Sequence, residues 1–200
     1  PVIHSLTNFP LFFIGGSFGA GGGLAGIYYK PIFTAVLSVI YTFFGPSPFF
    51  FHTIQLTLHI INAILTYCLF SKFLKKQFSL FFSLIFLVHP INSESVIYIS
   101  DLQEPLFFLF GMTGLLLIIK NHISIRSFAI IQLLFLLSLF SKETGILFLI
   151  IAFIYVFLFK KEFLKWFIIS SSLTIMIYSF FRFFLANIYI VIVAAFDVVR

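Results

Sequence analysis

The chain has 200 residues, 62% of them hydrophobic and only 9% charged, with 33 phenylalanines and a formal net charge of +6. An average globular chain is roughly 45–50% apolar and about 25% charged, so this composition excludes a water-soluble fold and points to a chain dissolved in lipid. The single cysteine, Cys68, excludes a disulfide scaffold, the aromatic and aliphatic content excludes disorder, and twelve cations scattered among apolar runs form no nucleic-acid patch.

The first 48 residues read as an external loop. Gly15–Gly23, GGSFGAGGG, is flexible and can approach other backbone closely. No Gly-Lys-Ser/Thr follows it, so it is not a phosphate-binding loop. Pro31–Phe44 is apolar but short. Its leading proline suits a first helical turn, and Gly45-Pro46-Ser47-Pro48 breaks the chain after it. This predicts an interfacial helix on the outer membrane surface.

A transmembrane helix needs about 20 mostly apolar residues, and Phe49–Phe70 is the first such run. Three lysines follow in SKFLKKQ. Phe78–Val88 is short, and reaches span length by starting near Phe73 with Lys75 and Lys76 snorkelling. His89-Pro90 ends it. A polar stretch, Ile91–Glu104, leads to a third span from Pro105 to Ile119. Phe128–Phe140 and Thr144–Phe159 flank Ser141-Lys142-Glu143 and together are too long for one crossing, so they predict a tight hairpin of two short spans. Phe163–Ala186 is the sixth span. Asn187–Phe196 is too short to cross. The expectation is an all-α polytopic bundle of about six spans, with an external loop over 1–48, spans over 49–186 and an external segment over 187–200.

The charges sort with this topology. The loops at 71–77, 120–127 and 160–165 hold eight cations against one acid, a net +7, while the other face holds four cations against five acids, a net −1. The positive-inside rule places the lysine-rich loops in the cytoplasm.

Charges in a chain with so few of them are functional candidates. Glu94, Asp101 and Glu104 fall within eleven residues. On a helix Asp101 and Glu104 would be i,i+3 neighbours, with Glu94 two turns away on a similar face. Acids so arranged can accept a proton or hold a divalent cation, or simply form a solvated loop. No calcium or zinc motif specifies a metal. Lys142 and Glu143 sit at the hairpin tip, where the lysine can bind an anionic head group or the two can form a local, helix-capping ion pair. Lys30 starts the interfacial helix, a position that favours anions. His89 precedes a proline, placed either to bind phosphate or sugar or to cap. Arg182 is an anion ligand or a snorkelling anchor. His52 and His59 read as packing or interhelical hydrogen bonding.

Three blocks carry a family resemblance. The first is Tyr28-Tyr29-Lys30-Pro31-Ile32-Phe33-Thr34, followed by Phe44-Gly45-Pro46-Ser47-Pro48 and Phe51-His52. The second is His89-Pro90-Ile91-Asn92-Ser93-Glu94-Ser95-Val96, continuing to Ile99-Ser100, and the third is Ser141-Lys142-Glu143-Thr144-Gly145. In this order they resemble the GT-C membrane glycosyltransferases, in particular the protein O-mannosyltransferase-like branch that often carries tetratricopeptide repeats. The resemblance implies transfer of a sugar from a polyprenyl-phosphate donor to an acceptor, such as a protein hydroxyl, on the extracytoplasmic face. It implies an inverting displacement with a carboxylate base and cations on the leaving phosphate. It places Lys30 and Lys142 as phosphate ligands, Glu94 near acceptor or donor sugar, and Glu104 at a commonly acidic position. The family's main catalytic aspartate would lie upstream of Pro1, so the chain reads as a fragment. Its basic residue before the second-loop acid is here Leu102.

Two other classes fit the composition. A transporter or flippase would use His52, Gln55, His59 and Asn62 to line a pathway, but transporters place their ionisable groups at mid-membrane, and here those groups gather at one interface. A catalytically inactive membrane scaffold is the third. The richness in phenylalanine, isoleucine and lysine is that of an AT-rich genome and points to a bacterial cytoplasmic membrane. Cysteines introduced at Ser93 and Ser127 should react with an impermeant thiol reagent from opposite sides of the membrane, and labelling from the same side would overturn the topology.

Overall fold

The computed structural model describes residues 9–14, 29–120 and 125–185. The glycine-rich loop at Gly15–Gly23, Tyr28 and the 187–200 segment lie outside the described residues. Those described are helices and short joints, with no strand among them. In chain order they are α1 (Leu11–Ile14), α2 (Pro31–Phe44), α3 (Pro48–Phe70), α4 (Lys76–Val88), α5 (Glu94–Ile97), α6 (Gln103–Ile119), α7 (Ile125–Ser141), α8 (Ile146–Phe159) and α9 (Leu164–Ser179). Tight 3-10 turns occupy Pro90–Asn92, Ile99–Asp101, Glu143–Gly145 and Lys161–Phe163, and a wider π turn closes the series at Phe180–Leu185.

Prolines set several boundaries. Pro31 and Pro48 each stand in a first turn, where the missing N–H removes no helical bond. Pro105 occupies the first turn of α6 in the same way. Gly45 ends α2 with φ +67, a left-handed backbone that suits glycine, and its N–H donates to the Tyr41 carbonyl at 2.8 Å. α4 stops at Val88, before His89-Pro90, as the sequence predicts.

Among the described residues the spans number fewer than six. Three helical stretches there are long and apolar enough to cross a membrane: Pro48–Phe70, Ile99–Ile119 and Lys161–Phe184. A fourth exists if Lys76–Val88 and Pro90–Ile97, bent by 48°, count as one broken span. Ser127–Ser141 and Glu143–Phe159 are shorter. At 1.5 Å per residue, even a 17-residue helix such as α7 rises about 26 Å, short of the ~30 Å hydrocarbon core. One further expectation is corrected. α4 does not begin at Phe73, since Ser71–Lys75 forms the joint and the helix starts at Lys76. The 91–104 stretch, for which the sequence leaves a helix or a solvated loop open, folds as the end of the Pro90–Asn92 turn, α5, the Ile99–Asp101 turn and the start of α6, with extended backbone at Tyr98 between α5 and the second turn.

The main apolar cluster joins α6, α7, α8 and α9 through residues such as Leu115, Phe135, Leu149 and Phe167. A second cluster seats α2 on α3 and α6 through Phe33, Ile40, Phe51 and Leu106. α2 is thus a packed helix, and its exposed residues, Val39 and Thr42–Phe44, gather toward its C-terminal end. In lipid, helix association draws on close packing and interhelical hydrogen bonds. Ser138 donates to the Phe107 carbonyl at 2.8 Å, and Thr174 to Gln132 Oε1 at 2.8 Å. Gln132 Nε2 reaches Ser170 and Ser171 at 2.9 and 3.1 Å. Each such bond contributes roughly 0.6 kcal/mol.

The helices sort the charges to two ends. Lys142 pairs with Glu104, and Arg182 with Glu143, at one end. At the other, the buried Lys160 ammonium donates to the Lys120 carbonyl at the end of α6.

Two glycines permit the closest approaches. A Cβ on Gly111 would fall 2.0 Å from the Phe148 ring, and one on Gly145 2.7 Å from the Ser138 carbonyl carbon. Gly145→Ala should destabilise by about 1–3 kcal/mol, because backbone must move, and Gly111→Ala should also lower the midpoint of thermal unfolding in detergent. Unchanged midpoints for both would show that the α7–α8 and α6–α8 contacts are looser than described.

Candidate functional site

The site forms where the chain between α4 and α6 breaks. Pro90 has no N–H to offer the Phe86 carbonyl, and the Asn92 side chain donates to it instead at 2.6 Å. The Ile91 N–H turns to His89 Nδ1 at 3.2 Å, which leaves the Leu87 carbonyl without its helical donor. His59 Nε2 takes that place at 3.0 Å. Gln55 Nε2 donates to the Ser95 and Tyr98 carbonyls at 2.6 and 2.8 Å, and Asn62 Nδ2 to the Pro105 carbonyl at 2.9 Å. Gln55, His59 and Asn62 recur on one face of α3 and are all buried. Irregular backbone at membrane depth needs such internal donors.

The broken segment and α6 enclose a cavity of about 280 Å³. Glu94, Asp101 and Glu104 all line it, together with His59, Asn62 and the Phe107 ring. The three acids therefore share a cavity, although they do not share a helix. Among the described residues, no group of three or more His, Cys, Asp or Glu side chains is gathered closely enough to hold a metal ion. The buried Asn62 Oδ1 has no hydrogen-bond partner, a state that costs roughly 1–3 kcal/mol.

One cation is tied to a wall residue of this cavity. The Lys142 ammonium pairs with Glu104 and lies 5.6 Å from the centre of the Phe107 ring. The pairing is long-range. Lys142 and Glu143 form no local ion pair, because extended backbone at Lys142 separates them and Glu143 bonds Arg182 Nη2 at 2.9 Å. Lys30 is half-buried. Burial holds its ammonium below the ordinary lysine range, as does the charge of Lys142, while Glu104, Glu143 and Asp101 pull the other way. Arg182 lies 5.9 Å from the Tyr29 ring centre. Tyr29 is fully buried and donates to the Phe13 carbonyl at 3.0 Å. Its phenol is pushed well above the usual range by burial, then by Tyr178, with Arg182 opposing.

The structure brings Lys30, Asp101, Glu104, Lys142, Glu143 and Arg182 into one charged end, with Glu94 across the cavity. It does not bring His89 there. His89 is exposed, caps the Pro90–Asn92 turn and borders a separate apolar groove. His59 makes the interhelical bond expected of it and stacks on Phe86, whereas His52 is exposed. The contribution of Gln55 and Asn62 to this site is absent from the sequence reading. Their polar character in a span was visible there, but the carbonyls they satisfy were not.

No family model and no solved structure matches the chain. Over 124 residues, 60% of this chain, it is 30% identical to a curated protein O-mannosyl-transferase of Caenorhabditis elegans. The matched stretch spans 17% of that relative's length.

Gln55→Leu removes the side-chain donor from the Ser95 and Tyr98 carbonyls, of which the second keeps the Asp101 N–H. It should cost about 1–3 kcal/mol and raise hydrogen exchange across 94–101, whereas Thr57→Val on the exposed face of α3 should leave exchange there unchanged. Equal exchange in both variants would show that the segment holds itself.

Proposed function

We propose that the chain is part of a membrane glycosyltransferase of the GT-C type, which transfers a sugar from a polyprenyl-phosphate donor to an acceptor hydroxyl. One observation carries the reading. Lys142 pairs with Glu104 on the wall of a cavity that Glu94 and Asp101 also line, and Lys30 lies within electrostatic reach of Lys142, Glu104 and Asp101. Cations beside a carboxylate-lined cavity suit a reaction in which a phosphate leaves and a hydroxyl is deprotonated. The similarity to a protein O-mannosyl-transferase supports the same class.

In this reading the sugar occupies the cavity. Its hydroxyls donate to the carboxylates and to Asn62 Oδ1, the buried acceptor otherwise without a partner. A carboxylate takes the proton of the acceptor hydroxyl as that oxygen bonds to the anomeric carbon. The bond from this carbon to the phosphate oxygen breaks, and the lipid phosphate leaves with the electron pair. Lys30 and Lys142 balance the charge that develops on it. Of the acids, Glu94 suits the acceptor side because it is exposed, while Glu104, held by Lys142, is better suited to position that ammonium than to move a proton. Glu143 and Arg182 clamp the hairpin tip to the end of α9 and so fix Lys142. Active sites in this reading face the side opposite the lysine-rich loops, and the bacterial membrane setting is proposed from composition alone. The acceptor is proposed as a protein hydroxyl from the printed name of the relative.

The full-length protein, reconstituted with a polyprenyl-phosphate sugar and a hydroxyl acceptor, should transfer the sugar. Lys30→Ala or Glu94→Ala should each lower turnover by roughly 10²-fold or more. Full turnover in both variants would remove these residues from the mechanism.

A further inference from the structure

A second feature opens at the opposite end of the molecule, independent of the transfer reaction. α3 and α4 run antiparallel and leave an apolar groove of about 430 Å³ between them. Small residues make its floor, since Ala63 and Ser83 are buried where larger side chains would fill it. Ile64 and Leu84, each about half exposed, form its walls. It runs from Leu87 to Gln77, a rise of about 15 Å at 1.5 Å per residue and half of a ~30 Å hydrocarbon core. The groove is therefore as long as one leaflet is deep.

Its mouth is cationic. Lys76 lines it beside Tyr67, and Lys72 and Lys75 stand in the adjoining joint. All three lysines are exposed, and among the described residues none is ion-paired with an acid. Another helix laid in the groove would leave these three charges without counter-charge, whereas a lipid with an anionic head group meets both halves of the feature. Juxtamembrane lysines attract such lipids by about 1 kcal/mol each.

We propose that the α3–α4 groove is a binding site for an anionic phospholipid of the lysine-side leaflet, with one acyl chain on Ala63 and Ser83 and the phosphate on Lys76. The site anchors α4 against α3, the helix that supplies Gln55, His59 and Asn62.

The test uses the full-length protein in phosphatidylcholine nanodiscs doped with an acyl-diazirine lipid, either phosphatidylglycerol or phosphatidylcholine at the same mole fraction. Photolabelled peptides are then mapped. Phosphatidylglycerol should label α3–α4 several-fold more than phosphatidylcholine, and Lys76→Gln should cut that preference by about fivefold. Ala63→Phe should remove phosphatidylglycerol labelling from α3–α4 while sparing labelling of α9. Equal labelling by the two lipids, or a preference unmoved by Lys76→Gln, would overturn the proposal.

Discussion

Backbone carbonyls cannot be left without donors inside a membrane, and between α4 and α6 this chain frees several of them at once. Pro90 and the extended residue at Tyr98 break the helix into α5 and two tight turns. Gln55 and His59 answer from one face of α3, Asn92 answers from within the segment, and Asn62 on the same face of α3 bonds the Pro105 carbonyl in the first turn of α6. The break is what carries Glu94, Asp101 and Glu104 to a common cavity. A continuous helix would have spread them along its length. The polar face of α3 is thus a scaffold for the acids, which also accounts for polar residues within a span without a transport pathway.

The second constraint is the pairing of the α7–α8 hairpin with its neighbours. Gly145 lets the tip turn against Ser138, and the extended backbone at Lys142 sends Lys142 and Glu143 to different partners. Lys142 reaches α6 through Glu104, and Glu143 reaches the end of α9 through Arg182. Two ion pairs from adjacent residues therefore knit α6, the hairpin and α9 at the charged end. Pairs as exposed as these contribute little to stability, with exposed ion pairs typically giving about 0.2–1 kcal/mol. Their effect is to hold the Lys142 ammonium against Glu104 on the cavity wall.

Much of the architecture is legible in the sequence because proline and periodic apolarity act locally. Pro31, Pro48 and His89-Pro90 fall at element ends, the hairpin at Ser141-Lys142-Glu143 is where the lengths demand one, and the charges divide between the two ends. The span count is not legible, because apolar runs such as α7 and α8 satisfy composition while falling short in length. The site is legible as a set of charged residues but not as an arrangement. Glu104 and Lys142 are 38 residues apart, and nothing local joins them. His89 stands before a proline, and of the two roles that place offers, ligand or cap, the structure shows the cap. Asn62 was visible only as a polar residue in a span, since its orphaned oxygen exists only once Pro105 has claimed its amide nitrogen.

The central claim is that one end of this bundle holds a lipid-linked phosphate. Binding of a short-chain polyprenyl phosphate to the full-length protein, measured by titration in detergent, tests it most directly. The account predicts saturable binding that weakens at least tenfold in both Lys30→Gln and Lys142→Gln, one decade corresponding to about 1.4 kcal/mol, and that is unaffected by Lys161→Gln at the other end. Binding of equal affinity in all three variants would contradict it.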